Sequence, residues 1–268
     1  MTTDHARFQG SIPELYDQYL GPVIFSPYAL DLARRIAAAS PRTLLEVACG
    51  TGITTAPLRT ALASCAITAT DLNAAMIAYA RAKPDMPAGI DWRTADAAAL
   101  PFDAASFDAL ACQFGYMFVP DKAKAFAEAR RVLKRDGLFA FNLWDSLREN
   151  PFAAIANTTI DARFPGNPPN FYSTPMGFHD ASRVRAMLDA AGFTATSIEL
   201  VKLPAQSVSA EAFAVGLVKG NPVALAIAER DGAIDAIVKD VAVALAREGG
   251  DAPYRSTMQA LVVTARAG

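Results

Sequence analysis

The stretch that most constrains this chain is Glu46-Val47-Ala48-Cys49-Gly50-Thr51-Gly52. It joins the short apolar run Thr43–Val47 to a segment of helical character that begins near Thr54. Glycines between a strand and a helix let the backbone turn sharply and approach a ligand closely. The helix N-terminus behind them presents unpaired N–H groups. Such a junction suits a dinucleotide or another nucleoside cofactor. The dinucleotide fingerprint wants a third glycine, but position 55 is threonine, and the Gly-Lys-Ser/Thr of a phosphate loop is also absent. Asp71 stands 19 residues after Gly52, at the end of the next apolar run, Ala66–Thr70. An acidic residue there accepts hydrogen bonds from both ribose hydroxyls of an adenosine. The alternative is a helix cap for the segment from Asn73 onward.

The pattern around this junction alternates strands and helices. Further strands are expected at Ile90–Thr94, Phe107–Cys112 and Leu138–Trp144, with a helix capped by Asp121 and lined by Ala123, Phe126, Ala129 and Leu133. Alternation of this kind implies βαβ units and a parallel sheet. Residues 11–39 read as two helices broken at Gly21-Pro22, with Ser11 as the first cap. After Trp144 the segment 150–175, rich in proline, asparagine and aromatics, reads as a lid or pocket loop. Asp180 caps a helix closed by Gly192; a sixth strand covers 194–203. Helices follow at 209–219 and 222–247, the latter broken near Asp231-Gly232, and a last strand covers 259–265.

Hydrophobic residues make up 52 % of the 268, charged residues 19 %, and the net charge is −2. That is too apolar for a disordered chain, and without a basic block it argues against nucleic-acid binding. The apolar excess contains no run of the roughly 18 to 20 residues that a bilayer span needs. Met1–Gly10 carries Asp4, His5 and Arg7 and does not resemble a signal peptide, so the cytoplasm is the expected location. Cys49, Cys65 and Cys112 are odd in number and widely spaced, which suits three reduced buried thiols. With only two histidines no multi-histidine metal site is possible, no metal is expected, and a catalytic imidazole in the folded body has to be His179.

Four segments, in order and correctly spaced, carry a family resemblance: LLEVACGTG (44–52), ATDLNAAMIAYA (69–80), DAAALPFDAASFDALACQFGYMF (96–118) and RRVLKRDGLFAFNLW (130–144). The chain resembles class I S-adenosylmethionine-dependent methyltransferases of the small-molecule type, similar to those of ubiquinone and menaquinone biosynthesis. The resemblance implies an α/β, Rossmann-like seven-stranded mixed sheet in the order 3-2-1-4-5-7-6, strand seven antiparallel, within a single domain over 1–268. Residues 1–40 would be a helical lid, 41–145 the cofactor-binding core, and 146–180 with 205–250 cap insertions.

It also implies roles. Glu46 orients the glycine loop and the methionine amine. Ala48, Gly50 and Gly52 line the methionine and ribose portion, and Asp71 holds the ribose. Leu72 packs on the adenine with Met76 below it, and Asp96 and Ala97 meet its edge. Gln113 and Phe114 take the amine through backbone carbonyl. Ala48 departs from the commoner glycine and Glu46 from the commoner aspartate. Independently, a cleft with Glu46 and few lysines suits a sulfonium and an ammonium better than a pyrophosphate.

Outside the core, Tyr16 or Tyr19 would reach the methionine carboxylate in similar enzymes; otherwise each anchors its helix through its apolar body. Phe118, Trp144, Phe171, Tyr172 and Phe178 are placed either to wall a substrate pocket or as ordinary core aromatics. His179 is either a general base for a hydroxyl acceptor or a surface residue beside the Asp180 cap. The expected reaction is methyl transfer to an O, N or C nucleophile of a small, partly apolar molecule; the near-neutral charge points to an uncharged or modestly polar acceptor. Two rivals stand beside it: an NAD(P)-dependent oxidoreductase, disfavoured by the missing third glycine, and a non-catalytic S-adenosylmethionine-binding protein.

Overall fold

The apolar runs of the sequence become the strands of one sheet in the computed structural model, which describes Phe8, residues 10–230 and residues 232–268. Expectations for Met1–Arg7, His5 included, and for Asp231 lie outside the described residues. The strands are β1 (Thr43–Val47), β2 (Ala66–Asp71), β3 (Ile90–Thr94), β4 (Phe107–Gln113), β5 (Leu133–Trp144), β6 (Phe193–Ser207) and β7 (Tyr254–Ala267). Their order is β3-β2-β1-β4-β5-β7-β6. The pairs among β1 to β5 are parallel, and β7 runs antiparallel to β5. This is the order and the antiparallel seventh strand that the resemblance implies.

The chain forms two compact units. One comprises Tyr28–Trp144, Phe178–Val201 and Ala260–Gly268; the other comprises the residues up to Pro27, Asp145–Gly177 and Lys202–Gln259.

In the first unit, helices α2 (Ser26–Ala37), α3 (Thr55–Ala61), α4 (Ala74–Ala82), α5 (Lys122–Val132) and α7 (Ala181–Ala190) accompany the sheet. Leu32, Ala33 and Ile36 of α2 and Leu58 of α3 form one core cluster with Leu44, Ile67, Ala109, Ala111 and Leu138. Each leucine buried to this extent contributes roughly 1.5 to 3 kcal/mol. Tyr116, Phe126, Phe139 and Phe141 form an aromatic cluster, with ring centroids from 4.7 Å to 6.0 Å apart. Burial of consecutive residues such as Leu44 and Leu45 reflects a parallel sheet covered on both faces. The second unit is mostly helical: α1 (Ile12–Leu15), α6 (Pro151–Asp161), α8 (Ala210–Lys219), α9 (Val223–Ala228) and α10 (Ile234–Gly249).

Four sequence expectations need correction. Gly21-Pro22 does not break the N-terminal helix: residues 16–25 form a π-helical stretch joining α1 to α2. Pro22 lies inside this stretch, and the Ser26 N–H reaches the Gly21 carbonyl in the i→i+5 register. Ser11 makes no side-chain cap. The 150–175 segment is not a loop throughout, because Pro151 sits at the first position of α6, where its missing N–H costs nothing. Finally, α5 ends at Val132 and Leu133 already belongs to β5; the buried stripe of α5 is Ala125, Phe126, Ala129 and Val132, with Ala123 exposed. Strands β6 and β7 are also longer than expected at both ends.

Among the described residues no helix is long and apolar enough to cross a membrane, and no cluster of three potential metal ligands occurs. All three cysteines are free and buried. Burial pushes the thiol of Cys112 up to about 12 and those of Cys49 and Cys65 upward, so none is a thiolate nucleophile.

Candidate functional site

The loop leaving β1 is held open by its backbone. Ala48, Gly50 and Gly52 all have positive φ (56°, 56° and 80°). For glycine this conformation is cheap, but for Ala48 it costs roughly 1 to 2 kcal/mol. A Cβ at Gly50 would meet nothing within 4 Å, so that position faces open space.

Two anchors tie this loop to β2. The Cys49 N–H donates to the Thr70 carbonyl at 2.9 Å. The Gly50 N–H donates to Asp71 Oδ2 at 2.8 Å, while Asp71 Oδ1 accepts the Asn73 N–H at 2.8 Å. Asp71 is therefore not the cap of α4; Asn73 is, accepting the Ala75 N–H. A carboxylate offers about four acceptor positions, so each Asp71 oxygen keeps capacity for a further donor. Burial raises the Asp71 pKa, and the two N–H groups oppose that rise.

Glu46 lies between small neighbours: it pairs with Ala69 of β2 and Ala111 of β4, both fully buried. Its side chain is 1 % exposed, and its Oε2 is buried with no hydrogen-bond partner. Burial drives its pKa up to about 8; Thr55 offsets part of the rise and the negative charge of Asp71 adds to it. A buried carboxyl oxygen without a partner has capacity for a donor from water or a ligand.

The end of β4 forms the next part. Phe114 also has positive φ, 51°, and its N–H donates to the Asn142 carbonyl at 3.2 Å. Asn142 Nδ2 donates to Gln113 Oε1 at 3.4 Å, and Asn142 Oδ1 is buried without a partner. The Phe114 ring stacks on Trp144, with centroids 3.9 Å apart and planes 4° from parallel. Tyr28 meets both rings edge-on and donates its hydroxyl to the Val201 carbonyl at 2.8 Å. Gly115 follows, and a Cβ there would fall 2.5 Å from the Ala48 Cβ and 2.6 Å from Cys112 Sγ. The sequence reading missed Gly115. Its signal was a glycine two residues after β4, opposite a loop where alanine stands for the commoner glycine.

After β3, Asp96 Oδ1 accepts the Ala98 N–H at 2.8 Å and its carbonyl accepts the Ala99 N–H at 2.9 Å, which fixes the turn containing Ala97. Leu72 is 48 % exposed, an unusual position for a large apolar side chain, and Met76 behind it is 4 % exposed.

The aromatics expected to wall one pocket fall into both units. Phe118, Trp144 and Phe178 belong to the sheet unit, and Phe171 and Tyr172 to the helical unit. Phe171 and Tyr172 are buried, and the Tyr172 hydroxyl donates to the Leu217 carbonyl at 2.8 Å. Trp144 is committed to Phe114, and Phe118 is half-buried. Tyr16 and Tyr19 are also in the helical unit; Tyr16 stacks on Phe25 at 4.6 Å. His179 is exposed beside Asp180, which caps α7 by accepting the N–H groups of Ser182 and Arg183.

The family described as "Methyltransferase domain" matches residues 45–141. A demethylmenaquinone methyltransferase of Deinococcus radiodurans is 31 % identical over 176 residues, covering 60 % of this chain and 73 % of that protein. An uncharacterised protein of Mycobacterium tuberculosis is 34 % identical over 127 residues, 47 % of this chain. The chain spans only 42 % of that relative's length. A solved structure of a Haemonchus contortus phosphoethanolamine N-methyltransferase in complex with S-adenosyl-L-methionine superposes with a TM-score of 0.58. The identity is 14 %, covering 96 % of this chain and 57 % of that one.

Proposed function

Because the chain belongs to the class I S-adenosylmethionine-dependent methyltransferases, we propose that it transfers a methyl group from S-adenosylmethionine to an O, N or C nucleophile of a small, partly apolar molecule. The observation that carries this reading is Glu46 Oε2, a buried acceptor without a partner on the strand that leads into the glycine loop. An acidic group there favours a cationic ligand, and a pyrophosphate would meet repulsion.

The residues present fit this cofactor. Glu46 attracts its ammonium. Asp71, already holding the loop through Gly50, accepts its ribose hydroxyls. Ala48, Gly50 and Gly52 let it approach the backbone. Leu72 covers the adenine with Met76 behind it, and Asp96 and Ala97 meet the adenine edge. The Gln113 and Phe114 carbonyls accept from the amine. When bound, the cofactor supplies a methyl group already activated on a sulfonium. Alignment of the acceptor then provides much of the acceleration, so no general base is obligatory; His179, exposed beside a helix cap, is not required. The name of the Deinococcus relative, a demethylmenaquinone methyltransferase, supports a small-molecule acceptor.

Titration calorimetry with S-adenosylhomocysteine tests the reading. Binding is expected, and an affinity no better than that for NAD overturns it.

A further inference from the structure

The first turn of α5 and the first turn of α7 meet around a cleft of about 530 Å³, lined by Pro120, Asp121, Lys122, Ala123, Arg183 and Met187. Two cations share one aromatic ring there. Lys122 Nζ lies 5.0 Å from the centroid of Phe178, and the Arg183 guanidinium lies 5.6 Å from it. Phe178 itself is 4 % exposed, so the ring is a fixed platform. Lys122 Nζ donates to the Val119 carbonyl at 2.9 Å. Neither cation has an ion-pair partner among the described residues.

The nearby carboxylates have hydrogen-bond partners of their own. Asp121 accepts the Lys124 N–H, and Asp180 accepts from the backbone of Ser182 and Arg183 and from the Ser182 hydroxyl. Two like charges held over one aromatic ring are unfavourable, and a dianion between them removes that penalty. The Lys122 pKa is accordingly lowered, first by burial and then by the Arg183 charge.

We propose that Lys122 and Arg183 form a binding site for the phosphate of a phosphomonoester with an apolar body. The guanidinium takes two phosphate oxygens, the ammonium takes the third as a point charge, and the apolar body lies along Pro120, Ala123 and Met187. This site is independent of the methyl-transfer reading. Its residues are separate from Glu46 and Asp71, so it stands or falls without them.

The test uses phenyl phosphate as probe on the full chain, by calorimetry and by NMR shifts of the aromatic ring protons. The wild type is expected to bind it with a dissociation constant below about 1 mM, weakening with added salt. Arg183→Gln and Lys122→Gln should each weaken binding tenfold or more, with unchanged thermal melts. Arg183→Lys should lose less than Arg183→Gln. Benzoate, a monoanion, should bind more weakly than phenyl phosphate. The proposal is overturned if the wild type fails to bind phenyl phosphate, if either glutamine variant binds as tightly as wild type, or if benzoate binds as well.

Discussion

Asp71 accepts the backbone N–H of Gly50 at 2.8 Å, so the end of β2 holds the loop that leaves β1. One carboxylate thus shapes the glycine loop and, in the proposed function, also receives the cofactor ribose. Asp71→Ala removes both functions. S-adenosylhomocysteine binding should weaken by ~2 to 3 kcal/mol, the scale of a charged hydrogen bond. Asp71→Asn keeps one acceptor oxygen and should lose less. Calorimetry on the two variants checks this; unchanged affinity in Asp71→Ala removes Asp71 from the cofactor site.

Glu46 makes stability and ligand binding depend on pH. Its folded pKa is raised to about 8 from the ordinary 4.5. Between those values the folded state binds a proton that the unfolded state has released. The stabilisation associated with this proton is present in full below pH 4.5 and is lost as the pH rises toward about 8. Glu46→Gln should flatten this part of the stability profile and gain relative stability at its upper end, measured by chemical denaturation across pH. An ammonium arriving beside Glu46 favours the carboxylate, so S-adenosylhomocysteine binding near pH 7 should release a proton from this residue. Calorimetry in buffers of different ionisation enthalpy reads that proton directly, and Glu46→Gln should abolish it.

The positions of the strands and of the glycine loop were legible in the sequence because they rest on local signals, apolar runs and a glycine junction, whereas the strand order was implied by the family resemblance. The capping roles of Asp121 and Asp180 were legible for the same reason, each a polar side chain opening a helical period. Pro151 misled because proline reads as a breaker unless the helix start is known, and at the first position it is favourable. Gly21-Pro22 misled because a π register leaves no mark on the apolar pattern. Gly115 was missed because its reason is a tertiary contact with Ala48, 67 residues away in the chain. The pairing of Lys122 with Arg183 over Phe178 is long-range in the same way.

Ala48 and Gly115 are a coupled pair. A methyl at Gly115 would fall 2.5 Å from the Ala48 methyl, well inside van der Waals contact. Gly115→Ala should therefore destabilise the protein by roughly 1 to 3 kcal/mol, as overpacking does. Ala48→Gly removes the obstructing methyl and relieves a residue at φ 56°. The double variant should recover much of the loss, giving a coupling of about 1 kcal/mol in a double-mutant cycle by urea denaturation. Additive effects would show that the two positions do not share the space.

Asn150 anchors the crossing from β5 into α6. It is fully buried. Its Nδ2 lies within bonding distance of the carbonyls of Asp145, Ser146 and Gln259 at 3.1 Å to 3.2 Å, and its Oδ1 accepts the Gln259 N–H at 3.0 Å. Asp145 adds a second tie, its Oδ2 accepting from Gln259 Nε2 at 2.8 Å. Asn150→Ala removes a buried amide that bridges the Asp145, Ser146 and Gln259 backbone, and leaves the Asp145 carbonyl and the Gln259 N–H without this partner, at roughly 1 to 3 kcal/mol each. A loss of about 2 to 4 kcal/mol is expected by denaturant titration. Asn150→Asp is the sharper variant: it keeps the acceptor for Gln259 but replaces the donor with a carboxylate facing carbonyls. It should be worse than alanine at neutral pH and recover as the carboxyl protonates in acid. If Asn150→Asp is as stable as wild type at neutral pH, the donor half of this junction carries no stability.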